Sequence, residues 1–140
     1  MQKKASFTVL GEPQSKARPR FNTITKRTYT PAKTQAYENK VRKAYIDTCG
    51  DRKLSGEIEA YLYFYFPITK SKTKKFKQQA SALEFGCTNK KDLDNLEKTI
   101  LDALNGLAYD DDHQITLLHG EKWYAEQPRV EVILMERKIE

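Results

Sequence analysis

The spacing of apolar residues predicts four β-strands. Residues 6–10 alternate apolar and polar side chains, and residues 56–66 (GEIEAYLYFYF) repeat the alternation with large aromatic residues before Pro67. Towards the C-terminus, residues 114–124 and 129–137 contain two further β-forming runs. These four segments are predicted to form the strands of one sheet.

Helical spacing predicts two longer helices and a short one. Pro31 suits the first turn of a helix, with Thr30 as its N-cap, and this helix is predicted to run to Cys49. Its apolar residues recur at helical spacing: Ala36, Tyr37, Val41, Ala44 and Tyr45. A second helix is predicted over residues 93–108 by the same criterion, and a short one around residues 74–83 in a lysine-rich stretch.

The segment between the first strand and the first helix, residues 11–30, is predicted to be one long loop rich in Pro, Lys, Arg and Thr. A loop of this length suggests a function of its own. The resulting order is strand, loop, helix, strand, insertion, helix and two strands. This order indicates an α+β fold: a single domain over residues 1–140, with a mixed β-sheet covered by two main helices. The pattern leaves the strand order open.

Composition narrows the class of protein. The chain has 140 residues, enough for one domain and one core, and no apolar run approaches the roughly 20 residues that span a bilayer. The apolar part of the basic N-terminus is too short for a signal peptide, so we expect a cytoplasmic protein that contacts no membrane. Cys49 and Cys87 stand far apart in no paired motif, so we expect two reduced thiols and no structural zinc site.

The distribution of charge is more informative than the net charge of +6. Residues 1–45 carry eleven Lys and Arg against two Glu, and residues 65–91 carry seven Lys against one Glu. Residues 92–113 reverse the sign, with seven acidic residues against one Lys. A basic surface neutralises a polyanion, and a dense acidic island can hold a divalent cation at a scissile phosphate. The pattern favours an enzyme that cuts phosphodiesters over a solvated surface with a chance charge run.

Asp92 and Asp94 form the first acidic pair, on one side of an extended segment or at a helix entrance. Two close carboxylates repel each other unless a cation neutralises them or one keeps a proton. Mg²⁺ takes oxygen ligands and keeps several waters, so two or three aspartates and a substrate phosphate suffice. Either Asp111 or Asp112 can give the third carboxylate. Lys98, one helical turn after Asp94, can support charge on the phosphate or orient the attacking water.

Each of these residues also has an ordinary structural interpretation. Asp92 suits the N-cap of the predicted helix, residues 110–112 suit a turn, and Lys98 suits a surface ion pair. The predicted helix would also be about 24 Å long at ~1.5 Å per residue. Residues 110–112 then reach Asp92 only if the helix is shorter or the next strand runs back along it.

Three blocks of sequence occur in a characteristic order. They are KDLDNLEK at residues 91–98, DALNG at residues 102–106 and DDHQI at residues 111–115. The set resembles the RusA family of Holliday-junction resolvases, many of them carried by phages and prophages. GEPQSKARPRF at residues 11–21 is similar to the N-terminal signature of the phage-type members. The likeness spans about residues 7–135.

The resemblance implies a homodimer that resolves four-way DNA junctions in recombination and repair. It implies paired symmetric nicks and a requirement for Mg²⁺, which Mn²⁺ could replace. Asp92, Asp94 and Asp112 would be the metal ligands, and Lys98 would be the active-site lysine. Asp111 would be a secondary acidic contributor, and the choice between Asp111 and Asp112 stays open because a third acid precedes them.

Basic residues supply the predicted DNA contacts. The resemblance places residues 14–20 and 90–95 against DNA, and the long loop adds further cations that can bind phosphates. The predicted DNA-binding residues are Lys16, Arg18, Arg20, Lys26, Arg27, Lys90 and Lys91. Phe21 or Tyr29 could stack on an unpaired base at the crossover, although packing onto the core is the more ordinary role.

Three other functions fit parts of the pattern. A non-catalytic DNA-binding module would use the aspartates as caps and turns, but bare carboxylates repel a phosphate backbone. A phosphatase or phosphotransferase would use Asp-x-Asp as nucleophile and acid, but usually directly after a buried apolar strand. A metal-dependent nuclease of flaps, forks or RNA would carry the same phosphate-binding lysines. Cleavage of DNA with and without Mg²⁺ separates the first of these from a nuclease.

Overall fold

The alternating segments of the sequence pair into one four-stranded sheet, to which a small two-stranded sheet is added. The computed structural model describes residues 3–15, 20–29 and 31–137. In chain order the elements are β1 (Lys4–Leu10), β2 (Arg20–Asn22), β3 (Arg27–Tyr29), α1 (Ala32–Cys49), β4 (Ile58–Phe66), α2 (Lys74–Ser81), α3 (Leu93–Ala103), a 3-10 turn (Asp112–Gln114), β5 (Ile115–Tyr124) and β6 (Arg129–Glu136).

The strand order of the main sheet is β1-β6-β4-β5. β6 pairs antiparallel with both β1 and β4, whereas β4 pairs parallel with β5. The sheet is therefore mixed, as predicted. A parallel pair cannot be joined by a tight turn, so residues 67–114, which include α2 and α3, form the connection between two neighbouring strands.

One face of the sheet carries the core. In β4, every second residue is buried and the residues between them are partly exposed; the buried ones are Ile58, Ala60, Leu62, Phe64 and Phe66. This alternation is the period of two that the sequence shows. α1 packs against β1 and α3 packs against β5 and α1. Coverage of a mixed sheet by two main helices confirms the predicted α+β class.

α1 contributes an apolar stripe to this core. Tyr37 and Tyr45 are buried, and the Tyr45 ring meets Phe7 of β1 edge to face with ring centroids 5.3 Å apart. Pro31 precedes the helix instead of beginning it, because its ψ of 145° is extended and places it at the N-cap position. Thr30, the predicted N-cap, lies outside the described residues.

α3 is shorter than residues 93–108, the range that its apolar spacing predicts. The helix ends at Ala103 because the chain turns at Gly106, which has a φ of 76° and donates its N–H to the Tyr109 carbonyl at 2.9 Å. Leu104 is buried although it lies beyond the helix. Apolar residues thus continue into the core at helical spacing after the backbone has left the helix.

The prediction that residues 11–30 form one long loop is wrong, because β2 and β3 within this range pair as a hairpin. The turn depends on Asn22, whose side-chain oxygen accepts the backbone N–H groups of Ile24 and Thr25 at 2.8 and 3.0 Å. Lys26 completes the turn with a φ of 56°. Strands of three residues are too short for an alternation pattern to reveal them.

The sequence also predicts two reduced thiols and no membrane-spanning segment. Cys49 and Cys87 are both free and buried, as predicted for two thiols. Of the helices in the described ranges, none is both long and apolar enough to cross a bilayer.

Candidate active site

The N-terminal end of α3 carries the first acidic pair. Asp92 occupies the N-cap position, Asp94 lies in the first turn, and both residues are exposed. Asp92 makes no capping hydrogen bond through its carboxylate, so an ordinary N-cap role does not account for it. The positive end of the helix dipole favours carboxylates at this place. Two carboxylates therefore lie at a helix end where a cation can reach them.

Another acid, Glu97, lies one turn further along α3, and the sequence analysis did not single it out. Its side chain is buried against β5, where Gly120 leaves space for the carboxylate. Burial raises the pKa of Glu97, the nearby Asp94 raises it further, and His119 lowers it. Glu97 therefore holds its proton more tightly than an ordinary glutamate, next to the exposed pair. A glycine in the middle of a predicted strand was the one signal of this packing.

Lys122 of β5 fixes the segment that leads into α3. Its Nζ donates to the carbonyl oxygens of Lys91 at 2.5 Å and Asn89 at 3.1 Å. The side-chain oxygen of Asn89 also accepts the Lys91 N–H at 3.3 Å. Because Lys91 directly precedes Asp92, these bonds position the first acidic residue relative to the sheet.

The remaining acidic residues lie beyond the C-terminal end of α3. The Asp112 N–H donates to Asn105 Oδ1 at 2.9 Å, and its carboxyl group shares a hydrogen bond with Asp102 of α3. Burial raises the pKa of Asp112 most, and the neighbouring Asp102 and Asp111 raise it further. Two carboxyl groups at hydrogen-bond distance share a proton or bind a cation. Asp102 is thus a second acidic residue that the sequence analysis did not assign to the site.

Asp111 differs from Asp112 in its surroundings. Its carboxylate pairs with His113 Nδ1 at 2.5 Å, and this bond is the main reason for the lowered pKa of Asp111. The side-chain oxygen of Gln114 accepts the N–H groups of Asp110 and Asp111 at 2.9 and 3.1 Å. Asp111 is therefore bonded within its own turn, whereas Asp112 is bonded to α3.

The two acidic groups lie at opposite ends of α3. Asp94 and Asp102 are eight residues apart, which corresponds to about 12 Å along a helix. Within the residues that the structure describes, no three His, Cys, Asp or Glu side chains are grouped so that they could hold a metal ion. A single chain therefore does not bring Asp92, Asp94 and Asp112 together. Lys98 is exposed midway between the groups, one helical turn from each.

Each end of α3 offers part of a ligand set for Mg²⁺. This ion binds carboxylate oxygens and keeps several waters, often with substrate phosphates in the remaining positions. Asp92 with Asp94 supplies one pair of carboxylates, and Asp102 with Asp112 supplies another. The chemistry of the donors fits the ion. Completing its coordination shell at one end takes waters, phosphate oxygens or carboxylates from elsewhere.

Two of the predicted DNA contacts adjoin the first acidic pair. Lys90 is exposed and Lys91 is partly buried, and both lie in the segment that Lys122 fixes. Their position puts cations within two residues of Asp92. Contact with DNA stays a prediction for both.

The hairpin carries the other described candidates for DNA contact. Lys26 and Arg27 are exposed, and so are two apolar side chains, Phe21 at 61% and Ile24 at 91%. Phe21 therefore does not pack into the core, the ordinary role considered for it. Lys16, Arg18 and the side chains of Arg20 and Tyr29 lie outside the described part of the structure.

Comparison with known proteins identifies the family. Residues 11–135 match the family described as endodeoxyribonuclease RusA. A relative from Bacillus subtilis (strain 168), described as uncharacterized protein YqaN, is 35% identical over 134 residues, which are 93% of this chain and 94% of that protein. The family match includes both acidic groups, the lysines before α3 and the hairpin. The chain belongs to the RusA family of endodeoxyribonucleases and is a nuclease.

Proposed function

We propose that this nuclease is a Mg²⁺-dependent resolvase, which cuts four-way DNA junctions by paired symmetric nicks. The observation that supports this best is the exposed pair of Asp92 and Asp94 directly after Lys90 and Lys91. Lysines bind the phosphate backbone, whereas bare carboxylates repel it unless a cation lies between. Acids next to lysines therefore suit a site that cuts phosphodiesters better than a surface that only binds DNA.

In this proposal Asp92, Asp94 and Asp112 hold the metal ion. When bound, Mg²⁺ or Mn²⁺ supplies positive charge at the scissile phosphate and lowers the pKa of water. Lys98 neutralises negative charge that develops on the phosphate. Asp111 acts on the site through Asp112, whose pKa it raises.

We also propose that a second copy of the chain completes each site. A two-fold axis that crosses α3 near Lys98 would bring the N-terminal end of one α3 beside the C-terminal end of the other. Asp92 and Asp94 of one copy would then meet Asp112 of the second copy. This arrangement brings together carboxylates that lie far apart within one chain, and it creates two equivalent sites. Their symmetry matches that of a junction that is cut twice.

A labelled synthetic four-way junction tests the function. We expect paired nicks with the wild type and Mg²⁺ and no nicks without metal. Asp94→Asn should bind the junction without cutting it. Equal cleavage of flaps or forks would identify a nuclease of other branched DNA. Binding without cleavage in both Mg²⁺ and Mn²⁺ would identify a DNA-binding module.

Mixing two inactive variants tests the shared site. In a heterodimer of Asp94→Asn and Asp112→Asn, a shared arrangement leaves one of the two sites fully wild type. We expect nicking to return on mixing, at about a quarter of the wild-type rate for freely exchanging subunits, and as single nicks. If each chain builds its own site, the mixture stays as inactive as its components.

A further inference from the structure

A small cavity of mixed polarity lies between the loop after β1, the first turns of α1 and the segment around α3. Its volume is about 170 Å³, room for about five waters at roughly 30 Å³ each. The residues that line it carry hydroxyl, amide or ammonium groups: Gln14, Ser15, Lys33, Thr34, Tyr37, Lys91 and Thr99. None of the described residues that line it is acidic. We call it the Tyr37 cavity.

Tyr37 has a buried hydroxyl group whose proton meets no acceptor among the described residues. The residue is 7% exposed, and among the described residues its Oη has no hydrogen-bond partner. Buried polar atoms are almost always bonded, so an exception calls for an explanation, and a water or ion in the cavity is one. Burial raises the pKa of Tyr37 to about 12, and the backbone N–H of Gln14, which approaches the hydroxyl oxygen without forming a regular hydrogen bond, lowers it. The hydroxyl therefore keeps its proton and can donate it to an acceptor at any ordinary pH.

The electrostatics of the cavity favour an anion. Two cationic residues, Lys33 and Lys91, are among those that line it. Lys33 and Thr34 belong to the first turn of α1, an 18-residue helix whose N-terminal end carries the positive end of its dipole. Donor groups and cations without a carboxylate are the surroundings that phosphate oxygens require.

We propose that the Tyr37 cavity binds one phosphate of the DNA strand, close to the phosphate that is cut. The inference rests on the proposed function, because it takes Asp92 and Asp94 to mark the place of cleavage. Lys91 links the two sites, since it lines the cavity and directly precedes Asp92. Tyr37 and Lys33 bind the phosphate oxygens, and the strand is thereby held in register with the acidic pair.

The cavity suits a phosphate better than an extruded base. An extruded base is held between flat aromatic or apolar walls, whereas Tyr37 is the single aromatic residue among the described ones that line this cavity. The remaining side chains end in polar or charged groups. A phosphate also needs no unstacking of the DNA to enter.

Binding measurements in the Asp94→Asn background, which should not cut DNA, test the proposal. Tyr37→Phe should bind a labelled four-way junction about 5- to 10-fold more weakly, and its thermal stability should be unchanged or higher because the removed hydroxyl donates to no acceptor in the described part of the chain. Tyr45→Phe is the matched control on the same helix, since the Tyr45 hydroxyl donates to the Arg52 carbonyl. The control should lose stability and keep its affinity. Equal affinity of Tyr37→Phe and its parent would overturn the proposal.

A junction with a single methylphosphonate, moved step by step along the strand near the branch, locates the phosphate. We expect one position per strand where the parent binds more weakly and Tyr37→Phe or Lys33→Ala adds little to that loss. Lys33→Ala should also lower the slope of log affinity against log salt by about 1. If the loss of affinity from the methylphosphonate and the loss from each substitution add at every position, the proposal is overturned. Because these arms measure binding, a failure of wild-type cleavage would count against the proposed function alone.

Discussion

Gly120 and Glu97 share one small space: a Cβ atom at Gly120 would lie 2.6 Å from Glu97 Oε2 and 2.9 Å from its Cδ. A larger residue fits only if the buried carboxylate moves. Asp94 of the exposed pair lies near enough to Glu97 to raise its pKa further. A glycine on β5 therefore sets the position of an acidic side chain inside the candidate site.

Gly120→Ala should lower the free energy of unfolding by about 1 kcal/mol, because the Glu97 side chain must leave its preferred rotamer. In the double variant Gly120→Ala/Glu97→Ala the clash is absent, so its stability should equal that of Glu97→Ala. Urea denaturation of the wild type, the two single variants and the double variant gives the coupling energy between Gly120 and Glu97. Independent, additive losses would show that the two side chains do not compete for this space.

Glu97→Gln should change how stability depends on pH in metal-free buffer. Burial, and then Asp94, raises the pKa of Glu97, so the folded protein binds this proton more tightly than the unfolded chain. The stabilising effect is complete below the unfolded pKa of about 4.3 and is lost as the pH rises through the folded pKa. The variant should match the wild type near pH 4 and exceed its stability at neutral pH. A difference that stays constant over this range would contradict the assignment.

Tyr109→Phe should be about 1–3 kcal/mol less stable than the wild type. The Tyr109 hydroxyl is buried and donates to the Leu101 carbonyl at 2.6 Å, so the variant leaves this oxygen with the longer bond from the Leu104 N–H at 3.3 Å. The bond also ties the chain before Asp112 to α3. Thermal and urea unfolding measure the loss, with Tyr37→Phe as the comparison that removes an unbonded hydroxyl. Equal stabilities of the two variants would be inconsistent with these different environments.

Lys122→Met should slow cleavage at saturating DNA by about 10- to 100-fold, because small displacements of a reacting group have effects of this size. The methionine keeps the length of the side chain and removes the bonds to the Lys91 and Asn89 carbonyls. Lys43→Met is the matched control, since Lys43 pairs with Asp47 on the exposed side of α1. An unchanged rate in Lys122→Met would mean that Asp92 does not depend on this bond.

Regular burial explains which elements could be predicted from the sequence. β4 alternates buried and partly exposed residues along its whole length, and a period of two is visible without knowledge of its neighbours. The hairpin of β2 and β3 has strands of three residues, too short to show any period. The end of α3 was missed because Leu104 keeps the helical spacing beyond the turn at Gly106.

Some residues of the candidate site are likewise placed by local sequence, and others by tertiary packing. Asp92 and Asp94 could be paired from the sequence because neighbours along the chain stay neighbours in space. The place of Asp112 depends on where the chain turns after α3, and the burial of Glu97 depends on β5 packing against it. Both relationships arise from tertiary structure, which local patterns do not contain.

The parallel pairing of β4 with β5 has a consequence for when the protein can act. Residues 67–114, the connection between these strands, contain both acidic groups and the lysines before α3. A long segment must close before its flanking strands can pair, which makes such contacts slow to form. Gly120 and Lys122 of β5 contact Glu97 and the segment before α3, so pairing of this edge strand completes the surroundings of the acidic site. A chain in which β5 has not yet paired lacks these contacts, and we expect it not to cut DNA.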